Sequence, residues 1–105
     1  MYPRLINLTK NAIEDKKGEN ICIYNVKNKN PLCDYVIICT ALNSKNMNAI
    51  ATSIEDTLEK NGFKINHIEG RDSTDWVLVD CEDAIIHIMS ESYRDYVILD
   101  DLLKK

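Results

Sequence analysis

The stretch "CDYVIICTALNSKNMNAIATSIEDTLEKNG", residues 33 to 62, limits the possible folds more than any other part of the chain. Its run Tyr35 to Cys39 is apolar, rich in β-branched residues and too short for a helix, which is the pattern of a strand covered on both faces. Immediately after it, Met47, Ile50, Ala51, Ile54 and Leu58 recur at spacings of three and four, the stripe of an amphipathic helix. Asn43 or Ser44 serves as the helix cap, and Asn61-Gly62 as its left-handed end. A covered strand running straight into such a helix begins a crossover. If the next strand lies beside the first, the two must be parallel, with a right-handed connection.

The flanking segments complete the pattern. Tyr2, Leu5, Ile6, Thr9, Ala12, Ile13 and Lys16 share one face of a helix over 2–17, opened by Pro3 and ended by Gly18. "NICIYNV" at 20–26 is a short alternating strand, and "KNKNP" after it is a turn. "FKINHIEG" supplies another short strand. "DWVLVDCEDAIIHIM" at 75–89 reads as two strand-length runs, 76–80 and 84–89, joined by Cys81, Glu82 and Asp83, with His87 on the face of Ile85 and Met89. "SESYRDYVILDDLLKK" predicts a short helical turn and an irregular or helical tail. Helix, strand, strand, helix and three strands give an α/β (α+β) fold: a single domain over 1–105, with a mixed sheet flanked by helices and antiparallel later hairpins. With 105 residues, 45% of them apolar, the chain can fill one modest core.

Charge is uneven along the chain. Residues 1–52 carry seven Lys or Arg against four acids, and residues 53–105 carry six against thirteen, for a net charge of -4. An acidic half repels phosphate and attracts a basic protein, so no direct sequence-specific binding of nucleic acid is expected. No run reaches bilayer-spanning length, and the acid-bearing amphipathic start resembles neither a secretory signal nor a transit peptide; the expectation is a cytoplasmic protein with no membrane association. Cys22, Cys33, Cys39 and Cys81 form no CxxC pair and read as reduced thiols.

Three chemical readings of the 75–89 segment compete. Asp80, Glu82 and Asp83 could hold a divalent cation, as paired carboxylates do in nucleotide-transferring enzymes, and "ALNSKN" resembles the small-residue-plus-serine phosphate loop of that fold. That loop lacks the glycine needed for close backbone approach to a phosphate, and acids at a turn are ordinarily solvated, so no metal or other cofactor is expected. His87 with Asp80 or Asp83 could form an acid/base pair, but the nearest thiol, Cys81, sits between acids that raise its pKa. A half-buried histidine bonded within a sheet is the simpler reading. Trp76, the sole tryptophan, opens a strand after the polar loop "GRDSTD" and is either core or a contact residue. Tyr93 and Tyr96 beside Arg94 are a second contact cluster or a helix turn packed on the sheet.

The ordered set "CDYVIICTALNSKNMNAIA", Glu69-Gly70, "WVLVDCEDAIIHIM" and "YRDYVILDDLL" resembles the ribosomal silencing factor family, also called Iojap-like, over about residues 34–103. The resemblance implies a nucleotidyltransferase-like fold without a working site, and a non-enzymatic role. In that role the protein binds the fourteenth protein of the large ribosomal subunit and sterically blocks joining of the small subunit, which damps translation when nutrients are scarce. It also implies a homodimer in isolation. Asp34, Tyr35, Glu69, Gly70, Trp76, Asp80, Asp83, His87, Arg94 and Leu99 match motif positions. The family's Thr-Gly is Thr40-Ala41 here, its closing Trp is Leu103, and an Asn before the last Leu is Ile98. The expected partner surface comprises Trp76, Val77, Leu78, Val79, Asp80, Asp83, His87, Arg94 and Tyr96. The competing expectation is a metal-dependent nucleotidyltransferase using Asp80 and Glu82.

Overall fold

The computed structural model describes residues 2–97 and 99–103. In chain order, the described residues form α1 (Arg4–Asp15), β1 (Glu19–Asn25), β2 (Tyr35–Ala41), α2 (Ser44–Lys60), β3 (Ile65–Glu69), β4 (Trp76–Cys81), β5 (Ala84–Ser90), α3 (Glu91–Val97) and α4 (Leu99–Leu103). The single α+β domain with a mixed sheet agrees with the sequence reading, and the tail is helical. Ile98, one of the departures from the family pattern, lies outside the described residues.

The strand order is β1-β2-β5-β4-β3, with β2 and β5 parallel and all other neighbours antiparallel. The crossover through α2 therefore does not return beside β2. It carries the chain to the far edge, and two antiparallel hairpins bring it back until β5 meets β2. Composition explains the choice. "AIIHIMS" is apolar enough to need neighbours on both sides, whereas "INHIE", with Asn66, His67 and Glu69 exposed, tolerates an edge.

Helices α1 and α2 pack on one face of the sheet. Leu5, Ile6, Ala12 and Ile13 of α1 and Met47, Ile50, Ala51, Ile54 and Leu58 of α2 meet Ile37, Cys39, Val77, Val79, Ile86 and Ile88 in a continuous core. The Asn43 side chain accepts from the Asn46 amide at 2.8 Å while the Asn46 side chain accepts from the Leu42 amide at 2.9 Å, a reciprocal cap that sets the start of α2. Gly62 follows the helix at φ +85°, where a Cβ would be disfavoured.

The opposite face is only partly covered. Val26, Cys33, Val36, Ile38 and Met89 form a second cluster against Tyr93, Val97, Leu99 and Leu103 of the C-terminal helices. Beyond that cover, the outward residues of β3, β4 and β5 face solvent wholly or in part.

Candidate functional site

Alternation along β4 decides which residues of the hairpin are available. Val77 and Val79 are fully buried beneath the helices, while Trp76, Leu78 and Asp80 point to the partly open face and are half-buried. The expectation that Val77 and Val79 belong to a partner surface is corrected accordingly: they are core residues, because a strand cannot turn consecutive side chains to one side. The pairing Leu78 with His87 and Glu69 with Leu78 brings three strands together on the open face.

Trp76 is half-buried and fixed at its polar end. Its indole N–H donates to His87 Nδ1 at 3.0 Å, and the two rings lie 5.6 Å apart. The Tyr93 ring lies 5.5 Å from the indole at a tilt of 41°, and Tyr96 follows at 6.3 Å from Tyr93. The result is an aromatic ladder from β5 through β4 to α3, ending at Tyr96, which is 82% exposed.

His87 accepts from the indole through Nδ1, so its own proton sits on Nε2. Burial lowers its pKa to about 4 from the ordinary 6.5, outweighing the nearby Asp100 charge, which acts to raise it. Between those values the unfolded chain binds a proton that the folded chain refuses, so stability is intact above pH 6.5 and falls as pH drops toward 4. Urea unfolding is expected to show a loss of roughly 3 kcal/mol across this window, with a shallower slope in His87→Gln. Equal slopes for wild type and variant would contradict the assignment.

Arg94 departs from expectation. Its side chain is only 12% exposed, and all five of its donors have acceptors inside the chain. Nε and Nη2 fork onto Asp100 Oδ1 and Oδ2, each at 2.9 Å, Nη1 donates to the Asn20 carbonyl at 2.6 Å and to Thr40 Oγ1 at 3.0 Å, and Nη2 also reaches Cys22 Sγ at 3.2 Å. Tyr24 adds a hydrogen bond to Asp100 Oδ2 at 2.6 Å. The hydrogen bonds to Asp100 hold the guanidinium pKa above its ordinary value. Arg94 thus clamps the C-terminal helices to β1 and β2, with its donors spent inside the chain. Asp100, the decisive acceptor, was not anticipated; a separation of six residues is not the three or four that places side chains together on a helix face.

Asp80 faces outward, with Oδ2 3.5 Å from His67 Nδ1, and His67 Nε2 lies 2.9 Å from Glu69 Oε1. This His67–Asp80–Glu69 row also went unread in the sequence, since β3 and β4 must pair before it exists. Asp83 is exposed in the turn, and its carbonyl accepts from the amides of Asp34 and Tyr35 at 2.9 and 3.0 Å. That turn closes the end of the hairpin opposite Trp76, roughly 20 Å away at the rise of a strand, so Asp83 does not join the aromatic ladder.

The same geometry separates the parts of the nucleotidyltransferase alternative. Cys81 pairs with Ala84 and Ala84 with Tyr35, whereas the "ALNSKN" loop leaves β2 from Ala41, opposite Ser90. The turn acids and the loop therefore lie at opposite ends of the sheet and form no joint site. Among the described residues no group of three or more His, Cys, Asp or Glu side chains is disposed to hold a metal ion. The Cys81 thiol is pushed up to about 12, first by burial and then by Asp80, Glu82 and Asp83, which removes it as a nucleophile near neutral pH.

Glu69-Gly70 has a physical explanation in the structure. Gly70 sits at φ +82°, and a Cβ there would collide with the Trp76 carbonyl oxygen, so this glycine lets the end of β3 press against the start of β4. A hollow of about 180 Å³ results, lined by Glu69, Gly70, Trp76 and Leu78.

A five-stranded mixed sheet, packed by two helices on one side and left partly open around an aromatic ladder on the other, places the chain among small α+β domains with an available sheet face. The comparisons narrow the class: the family described as "Ribosomal silencing factor during starvation" matches residues 2–105, and the chain belongs to that family. It is 32% identical over 98 residues to the ribosomal silencing factor RsfS of Halalkalibacterium halodurans, covering 93% of this chain and 84% of the relative. The same identity and length relate it to the Haemophilus influenzae protein of that name, covering 93% and 96%. A crystal structure of a Chromobacterium violaceum protein superposes with a TM-score of 0.92 at 31% identity, covering 95% of this chain and 83% of that one. A Bacillus halodurans crystal structure superposes at 0.84 with 32% identity, covering 93% and 91%.

Proposed function

We propose that this chain silences ribosomes by docking, without catalysis. Its open sheet face, formed by Trp76, Leu78, Asp80, Tyr96 and the neighbouring Tyr93, Glu69 and His67, covers a basic, partly apolar patch on the fourteenth protein of the large subunit and so keeps the small subunit from joining. It acts in the cytoplasm and pairs with a second copy when no ribosome is bound. The family match over residues 2–105 carries this reading, and the exposed end of the aromatic ladder supports its location on the chain. No helix among the described residues is long and apolar enough to cross a membrane. Complementary charge speeds encounter between an acidic face and a basic one, while stacked aromatics supply most of the affinity.

Trp76→Ala is expected to weaken co-sedimentation with large subunits by at least ~2 kcal/mol. Because Trp76 also supports packing, Tyr96→Ala is the companion variant: the ring is 82% exposed, so the fold is retained and any loss of binding reports contact. Wild-type affinity in both variants, each folded by circular dichroism, would overturn the placement.

A further inference from the structure

We infer that the hollow between Glu69-Gly70 and the start of β4 is the receptor for one arginine side chain of the docked protein partner. The inference rests on the proposed docking role and assigns chemistry to one point of that face. At about 180 Å³ the hollow is smaller than sites built for organic ligands and suits a single long side chain. What it presents is one-sided. The only N–H of the indole is engaged by His87, so Trp76 shows π surface and no donor. Leu78 contributes methyl groups, and Gly70 contributes no side chain because the Trp76 carbonyl leaves no room for one.

The remaining polar side chain is the Glu69 carboxylate, 67% exposed and held in place by His67 at 2.9 Å. A lining of π surface, methyls and a carboxylate attracts a donor-only cation on an apolar stem and repels an acid. Arginine fits better than lysine: its planar guanidinium stacks on an indole while its fork of N–H groups meets a carboxylate, and it is the more weakly hydrated of the two. Asp80, on the far side of His67, adds negative potential along the approach.

The test is Glu69→Gln in the full chain, which keeps shape and removes charge at an exposed position. Large-subunit affinity, read by sedimentation, is expected to fall on the order of tenfold, with weaker salt dependence than wild type. If wild type binds and Glu69→Gln binds equally well, the arginine assignment fails while the docking role stands. If wild type does not bind large subunits at all, the docking role fails, and the hollow is judged by titrating the capped tripeptide acetyl-Gly-Arg-Gly-amide. Saturable NMR shifts at the Trp76 indole N–H and the Gly70 amide, absent in Glu69→Gln, support the assignment; unmoved resonances overturn it.

Discussion

Arg94→Met is expected to lower the unfolding free energy by about 3–5 kcal/mol, the usual cost of leaving one member of a desolvated ion pair without the other. The side chains of Arg94 and Asp100 are 12% and 19% exposed, and the pair is bidentate, so the substitution removes two charge-assisted hydrogen bonds from a largely desolvated fork. The damage should be local at first. With the clamp gone, α3 and α4 hold the sheet through Tyr93, Val97, Leu99, Leu103 and the Tyr24–Asp100 hydrogen bond, and the contact of Tyr93 with Trp76 loosens. Urea unfolding followed by tryptophan fluorescence measures both effects. The double variant Arg94→Met with Asp100→Leu should recover much of the loss, since an apolar pair of similar volume can replace a buried ion pair. A single variant within about 1 kcal/mol of wild type would show that the clamp is not structural.

Gly70→Ala is expected to cost about 3 kcal/mol. Part is conformational, since a left-handed φ is unfavourable for a residue with a Cβ by roughly 1–2 kcal/mol. The rest arises because the added methyl meets a backbone carbonyl, that of Trp76, so strands β3 and β4 must separate locally instead of a side chain rotating away. Thermal unfolding checks the magnitude. A second readout follows from the location: amide exchange should quicken at Leu78 and Val79, whose ladder with β3 is disturbed, and remain unchanged in α2. Unaltered stability would mean that β3 can move away from Trp76 at no cost.

These two residues also mark where reading the sequence succeeded and where it stopped. Period and punctuation were enough for the helices: Met47 through Leu58 and Leu5 through Ile13 are buried as their spacing predicts, and Gly62 has the expected positive φ. Alternation placed His87 on the face of Ile85 and correctly set it against Ile86 and Ile88. Strand order was not legible, because the rule for crossovers fixes hand and direction without saying which strand will be the neighbour; β5 took that place through its apolar content.

Within the segment proposed as the contact, side-chain orientation was misread. Treating residues 76–80 as one contiguous contact ignored the same alternation that had worked in the next strand, and it put Val77 and Val79 on the surface. Arg94 matched a motif position, yet a motif does not reveal which acceptors a side chain meets; the Asp100, Asn20, Thr40 and Cys22 contacts came only with the fold. Neighbours such as His67 and Asp80 meet through pairing between strands separated in sequence, and no local pattern encodes that meeting.

The most direct measurement is subunit joining itself. Purified large and small subunits are mixed with the protein under conditions that favour joined ribosomes and resolved on a sucrose gradient. Wild-type protein should migrate with large subunits and deplete the joined peak, and Tyr96→Ala, although folded, should do neither as well. A joined peak that is undiminished at saturating wild-type protein, with the protein left at the top of the gradient, would contradict the docking role outright.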